Sequence, residues 1–354
     1  MKPTNATFAA TLKRSEQLEQ DLRSHPDRYR VLTGDRPTGR LHVGHLFGSL
    51  QNRVRLQALG VPTFIVIADY QVLTDREVCA DISEHVRQLV LDYLAVGLDP
   101  DSGQTFIFPH SHVPELNQLL LPFLTLVTNA ELDRNPTVKE EIQASGQKRI
   151  NAGMYTYPVH QAADIFFCKA NLVPVGKDQL PHLELTRTLA RRFNQRFGPV
   201  FPEPQPLLGA APEVTGLDGA RKMSKSRGNS IPLSASEDET ASLIASARTD
   251  GDRRITYDPE GRPEVANLLR LAALASGDTP EGLADRIGDG GAGKLKGFLT
   301  TALNEHLRPL RERRKKLEGD PRVVREVLAA GIQRAREVGE VTLAEVRRAM
   351  HMEL

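Results

Sequence analysis

The chain has 354 residues, 40% hydrophobic and 26% charged, and its 46 basic and 45 acidic side chains leave a formal net charge of +1. At ~150 residues per domain this length predicts two domains, and the apolar share is too high for a disordered chain. Near-neutral charge excludes a uniformly basic surface, so any nucleic-acid contact must be a local patch, and no apolar run reaches the roughly 18 residues of a membrane helix.

Residues 1–28 read as a polar extension with a helix from about Phe8 to Arg23. Its start, MKPTNATFAATLKRSEQ, lacks an apolar h-region, so a cytoplasmic location is expected. Tyr29 to Thr33 predicts a strand that runs into the breaker-rich Gly34-Asp35-Arg36-Pro37-Thr38-Gly39 turn, and a helix is expected from about Val43 to Leu59. The apolar run Thr63 to Ala68 is a strand buried on both faces. Asp81 and Glu84 have capping-box spacing ahead of a helix that runs to Gly97. A strand at Thr105–Phe108, a helix from about Pro114 to Asn129, a strand at Leu172–Val175 and a helix from Leu180 to Phe197 follow. Residues 198–220 are rich in proline and glycine and are expected to cross between domains. Beyond Ser230 helical periodicity dominates, broken near Gly277, Gly288–Gly293 and Gly319. The expected fold is α/β, a Rossmann-like doubly wound parallel sheet in a catalytic domain at 29–230, followed by an all-helical domain at 231–354 whose last helix can pack back on the catalytic domain. Ligands should bind at the carboxyl ends of the strands.

Two motifs carry chemistry. His42-Val43-Gly44-His45 stands where a strand gives way to a helix, with both imidazoles on one face of the first turn. Unpaired N–H groups and the helix dipole favour an anion there, Gly44 lets the backbone approach it, and the imidazoles donate to phosphate oxygens. Lys222-Met223-Ser224-Lys225-Ser226 places two mobile ammonium groups between Gly219 and Gly228, suited to charge that builds up and then departs, as on leaving pyrophosphate.

With GDRPTGRLHVGHLFGSLQNRVRLQ, YPVHQAADI, LVPVGKDQLPHLELTRTLARRFN and KMSKSRGN, these motifs resemble the blocks of bacterial tryptophanyl-tRNA synthetases, members of the class I aminoacyl-tRNA synthetases. The likeness runs from about Tyr29 to the C-terminus. It implies a tryptophan–tRNA ligase that forms tryptophanyl-adenylate from ATP and L-tryptophan and charges tRNA(Trp). It also implies Mg²⁺ bound with ATP, no metal held by the protein alone, and a homodimer. Cys79 and Cys168 are too few for a zinc or iron–sulfur site of four cysteines. By resemblance, His42, His45, Lys222 and Lys225 are catalytic. Gly34, Arg36, Pro37, Thr38, Gly44, Gly176, Lys177, Asp178, Met223, Ser224 and Ser226 join them around ATP. Leu32, Tyr157, Gln161, Asp164, Val175 and Gln179 would hold tryptophan, with Asp164 accepting from the indole N–H and Ile165 and Val173 adding apolar wall.

Indole nitrogen only donates, so one buried acceptor satisfies it, whereas a phenol both donates and accepts. Leu32 stands where tyrosine enzymes of this class carry a tyrosine, yet Gln-x-x-Asp also occurs in tyrosine enzymes, so a tyrosyl-tRNA synthetase is the alternative. A small-molecule nucleotidyltransferase and a synthetase-like binding or regulatory protein are the further rivals. Asp164 also reads as a helix residue paired with Lys169. Arg311, Arg313 and Arg314, within the basic run Arg308 to Lys316, suit tRNA phosphates or else form a solvated helix end. Gly288 to Lys294 nearly spells a phosphate-binding loop, but Leu295 replaces the metal-binding hydroxyl, so a turn is expected. His110-Ser111-His112, with no acidic residue beside it in sequence, is expected to be a strand-end loop rather than a metal site.

Overall fold

The computed structural model describes residues 5–74, 81–145, 150–208, 214–219, 222–224 and 227–353, with backbone alone at 5–8, 141, 144, 145 and 177. Among them, Val31–Asp35 (β1), Thr63–Ile67 (β2), Thr105–Pro109 (β3), Leu172–Val175 (β4) and Gln205–Leu208 (β5) form one parallel sheet in the order β3-β2-β1-β4-β5. Parallel strands need crossover connections, supplied here largely by helices, and the order of strands reverses across the sheet between β1 and β4. That reversal opens a crevice beyond the carboxyl ends of those two strands.

The two-residue period of β2 explains its unbroken apolar run. Ile65 and Ile67 belong to one core, with helices Ile82–Val96, Pro263–Ser276 and Gly291–Glu318. Phe64 and Val66 belong to the other, with helices Ala152–Phe166, Leu180–Phe197 and Val323–Ala349. The last helix lies directly against the β3 edge, where a Cβ on Gly331 would fall 1.9 Å from the Ile107 carbonyl oxygen. Only glycine permits that approach. None of the described helices is long and apolar enough to cross a membrane.

Several local expectations change. The helix after His42 is interrupted by a π turn at Leu46–Leu50, between Val43–His45 and Gln51–Ala58. The helix expected over 114–129 divides into Pro114–Asn117 and Leu120–Leu124. Pro122 has no N–H for the Gln118 carbonyl and crowds it, so the helix cannot run through, and the Asn117 amide turns back to the carbonyls of His110 (2.9 Å) and Val113 (3.1 Å). The capping box at Asp81 does not form. Glu84 turns instead to Arg87 and Gln88, and Asp81 caps nothing with its side chain.

Residues 198–220 contain a strand the sequence did not signal. β5 tolerates Pro206 because it is an edge strand: Gln205 donates inward to Asn171 O (2.9 Å), while position 206 faces outward, where no donor is needed. The N-terminal helix Asn5–Ser24 is likewise no loose extension. Leu18 and Leu22 are buried with Val31, Leu56, Val61, Leu172 and Leu207, and the Ser15 hydroxyl accepts from Leu208 N–H at 3.0 Å. The Glu19 carboxylate takes both arms of Arg55, at 2.6 and 2.7 Å.

Candidate active site

β1 ends on a buried ion pair. Asp35 accepts from Arg53 Nη1 (2.6 Å) and the Tyr93 hydroxyl (2.7 Å), and Arg53 also reaches the Gly34 carbonyl at 3.3 Å. Burial alone would raise the pKa of Asp35, but Arg53, His45 and the hydrogen bonds outweigh it and hold the carboxyl well below the usual range. Gly34 is obligatory: a Cβ there would lie 2.1 Å from the Val66 carbonyl oxygen of the neighbouring strand. This pins the chain as it enters Arg36-Pro37-Thr38, a turn closed by Thr38 N–H on the Arg36 carbonyl at 2.8 Å.

The two histidines follow. His42 is buried and half-stacked on His45, ring centroids 3.8 Å apart. His42 N–H donates to His45 Nδ1 at 3.2 Å, so the neutral His45 ring carries its proton on Nε2.

The lysine loop is fastened to this turn. Val43 N–H donates to the Ile231 carbonyl (3.0 Å) and Leu233 N–H to the Leu41 carbonyl (2.9 Å), an antiparallel clasp centred on the His42–Pro232 bridge. A Cβ on Gly44 would sit 3.4 Å from Met223 Cβ, so the two motifs touch at that glycine. Lys222 Nζ reaches the Asp178 carboxylate at 3.5 Å, bringing it over the Gly176-Lys177-Asp178 loop after β4. Ser224 N–H donates to Asn229 Oδ1 at 2.8 Å. Lys225 and Ser226 lie outside the described residues, as does Cys79.

A second cluster lies on helix Ala152–Phe166, where Tyr157, Gln161 and Asp164 share a face. Gln161 comes within 3.5 Å of Gln179. Asp164, 2% exposed, adjoins an apolar group that includes Leu32, Ile165 and Val173, with Val175 packed on it. Its Oδ1 meets His110 Nδ1 at 3.2 Å, while His110 Nε2 accepts from Tyr70 N–H at 2.9 Å. Asp164 therefore does not pair with Lys169, which engages Glu345.

Tyr157 meets His182 Nε2 at 3.0 Å, and Asn135 meets its Nδ1 at 3.2 Å. Burial pushes the His182 imidazole down from 6.5 to about 4. The unfolded chain then binds more protons between those values, so this contribution to stability is complete above pH 6.5 and is lost as pH falls toward about 4. The loss approaches about 1.4 kcal/mol per pH unit. In thermal melts across that window, His182→Gln should lose less stability on acidification than the wild type; equal slopes would mean that His182 titrates normally.

The family described as tRNA synthetases class I (W and Y) matches residues 25–308. The chain is 42% identical over 331 residues to the tryptophan–tRNA ligase of Treponema pallidum, spanning 91% of this chain and 96% of that one. To the Thermotoga maritima tryptophan–tRNA ligase it is 41% identical over 331 residues, spanning 91% and 99%. This chain belongs to the class I tRNA synthetases of the W and Y family. Its structure superposes on the Campylobacter jejuni tryptophanyl-tRNA synthetase complexed with ADP and tryptophan with a TM-score of 0.79, at 28% identity and covering 91% of this chain and 99% of that one. The tyrosyl-tRNA synthetase of Archaeoglobus fulgidus shares the fold, with a TM-score of 0.63 at 22% identity, covering 81% and 90%.

Two expectations for this class I synthetase need correction. Arg314 is 4% exposed and bonded to Asp92, so it is not available to tRNA phosphates. Arg311 is half-buried on Asn304 and Thr240, whereas Arg313 is exposed. The sequence also left His110 without an acidic neighbour, but folding brings Asp164 and Asp69 to its ring. His110, His160 and Asp164 offer donor atoms within 4.8 Å of one another. Both His110 nitrogens are already engaged, and His160 Nε2 meets Asn117 at 2.7 Å, so the group reads as a hydrogen-bond network. Burial opposes charge on His110, but Asp164 and Asp69 outweigh it and raise its pKa; on His160 burial prevails and lowers it.

Sequence reasoning missed Asn229, which closes KMSKSRGN. Its amide also donates to Asp218 (3.1 Å), and its carbonyl accepts from Leu217 N–H (2.9 Å). Gly216 makes room for it, since a Cβ there would lie 2.1 Å from Asn229 Nδ2. Asn267, on helix Pro263–Ser276, holds the Thr215 and Gly216 carbonyls at 3.2 and 3.0 Å. An asparagine that ends a glycine-rich basic loop is the one available signal.

Proposed function

We propose that the chain is a tryptophan–tRNA ligase. It joins L-tryptophan to ATP as tryptophanyl-adenylate and then charges tRNA(Trp). The observation that carries this reading is the buried Asp164 carboxylate beside apolar walls, in a chain 41–43% identical to tryptophan–tRNA ligases across 91% of its length. A lone acceptor suits an indole N–H and leaves a phenol half-satisfied, at a cost of about 1–3 kcal/mol. Leu32 offers no polar partner.

In the first step a tryptophan carboxylate oxygen attacks the α-phosphorus in line, and the bond to the bridging oxygen breaks as pyrophosphate takes the electron pair. Mg²⁺ enters with the substrate ATP and shares its charge. No protein nucleophile is needed, so catalysis is positioning and electrostatic stabilisation. His42 and His45, with the Gly44 backbone, meet the nucleotide, and Arg36-Pro37-Thr38 covers its α-phosphate. Gly176-Lys177-Asp178 meets the ribose, and Lys222, Met223, Ser224, Lys225 and Ser226 follow the pyrophosphate. Tyr157, Gln161 and Gln179 hold the α-ammonium group. The 2′-hydroxyl of the terminal adenosine of tRNA then attacks the acyl carbon, and AMP leaves. Exposed Arg313 would contact tRNA. The family resemblance supports a cytoplasmic homodimer with 231–354 as the tRNA-binding unit.

ATP–pyrophosphate exchange run with tryptophan and tyrosine side by side tests the reading. Exchange is expected with tryptophan and should be weaker by orders of magnitude with tyrosine. The reverse order would make the chain a tyrosine enzyme, and no exchange with either would leave a binding protein.

A further inference from the structure

One buried carboxylate connects the histidine turn to the C-terminal helices. Asp92, fully buried on helix Ile82–Val96, accepts from the backbone N–H of Leu41 through Oδ2 at 3.2 Å. Leu41 immediately precedes His42 and is itself buried, and its carbonyl is already committed to Leu233 N–H at 2.9 Å. The other carboxylate oxygen, Oδ1, takes Nη1 of Arg314 from helix Gly291–Glu318. Arg314 is held in turn by Gln88, which shares a helix with Asp92, and by Glu318 at 3.1 Å. Taking such a pair out of water is costly, and replacing it with apolar side chains is often neutral or stabilising. Its position next to the signature histidine points to a role other than stability.

We propose that Asp92 is a positioning residue for ATP activation. Its carboxylate holds the Leu41 amide, and through it His42, while Arg314 supplies the buried counter-charge that fixes which oxygen faces Leu41. This rests on the synthetase reading above and assigns to Arg314 an internal task in place of tRNA contact.

The test compares two double variants that both remove the ion pair without stranding a buried charge, since Glu318, which also loses Arg314, is exposed. In Asp92→Asn/Arg314→Met the side-chain carbonyl still accepts from Leu41 N–H, and the new amide can donate to Gln88. In Asp92→Leu/Arg314→Met the acceptor is gone. The first should keep the ATP Kd, read by calorimetry, and the exchange rate within about threefold of wild type. The second should weaken ATP binding about tenfold or more, as expected for a lost backbone hydrogen bond at a buried site. The tryptophan KM should stay unchanged. Equal behaviour of the two, or parallel losses for ATP and tryptophan, overturns the proposal. If the leucine variant does not fold, Asp92→Glu/Arg314→Lys keeps a buried ion pair but displaces the carboxylate, and an unchanged ATP Kd there is equally fatal. Wild-type exchange with tryptophan in the same assay tests the synthetase reading separately, because the ATP Kd comparison needs no amino acid.

Discussion

Lys222→Ala is expected to slow tryptophan-dependent ATP–pyrophosphate exchange about 100-fold, the scale of one lost electrostatic donor to a developing anion. Lys222 pairs with Asp178 at 3.5 Å, and both side chains are more than half exposed, at 57% and 53%. Such a pair contributes little to stability, so melting should barely change. Its weakness has a use. An ammonium loosely shared with a carboxylate can move to a polyphosphate that gains charge as the α-phosphorus bond breaks, and then let it go. The tryptophan KM should therefore hold while kcat falls. An unchanged exchange rate would remove Lys222 from the chemistry and leave it a surface residue tied to Asp178.

Asp164→Ala should raise the tryptophan KM about 10- to 100-fold and leave the ATP KM within about twofold, since an unpaired buried donor costs about 1–3 kcal/mol and each tenfold step is about 1.4 kcal/mol. The same change removes the carboxylate nearest His110, so burial should then dominate and the His110 pKa should fall, a shift visible by NMR. Asp164 is on helix Ala152–Phe166, whereas most of the residues proposed to meet ATP follow β1 and β4, which is why the two constants should separate. Loss of ATP affinity with tryptophan binding intact would reassign the residue.

Linear patterns proved legible where the physics is local. The strands β1 to β4 stood out as short apolar runs between breakers, and helix Leu180–Phe197 was read from its periodicity to the residue. β5 was hidden because proline argues against a strand unless that strand lies at an edge, which is a property of the sheet. The capping box at Asp81 looked sound, but Arg87 and Gln88 compete for Glu84. The helix over 114–129 divides just ahead of Pro122, which has no N–H to offer the Gln118 carbonyl.

The amino-acid order alone determined the alternation of strands and helices and the presence of the His42–His45 and Lys222–Ser226 motifs, because spacing along a helix or strand sets which face a side chain takes. It also determined the family, through contiguous blocks around those motifs. Only the tertiary structure decided who meets whom over long separations. It seats Met223 on Gly44, turns Arg314 inward to Asp92, moves Lys169 from Asp164 to Glu345 and brings Asp164 to His110. Buried polar groups must find partners, and among residues far apart in sequence only the folded chain settles which donor reaches which acceptor.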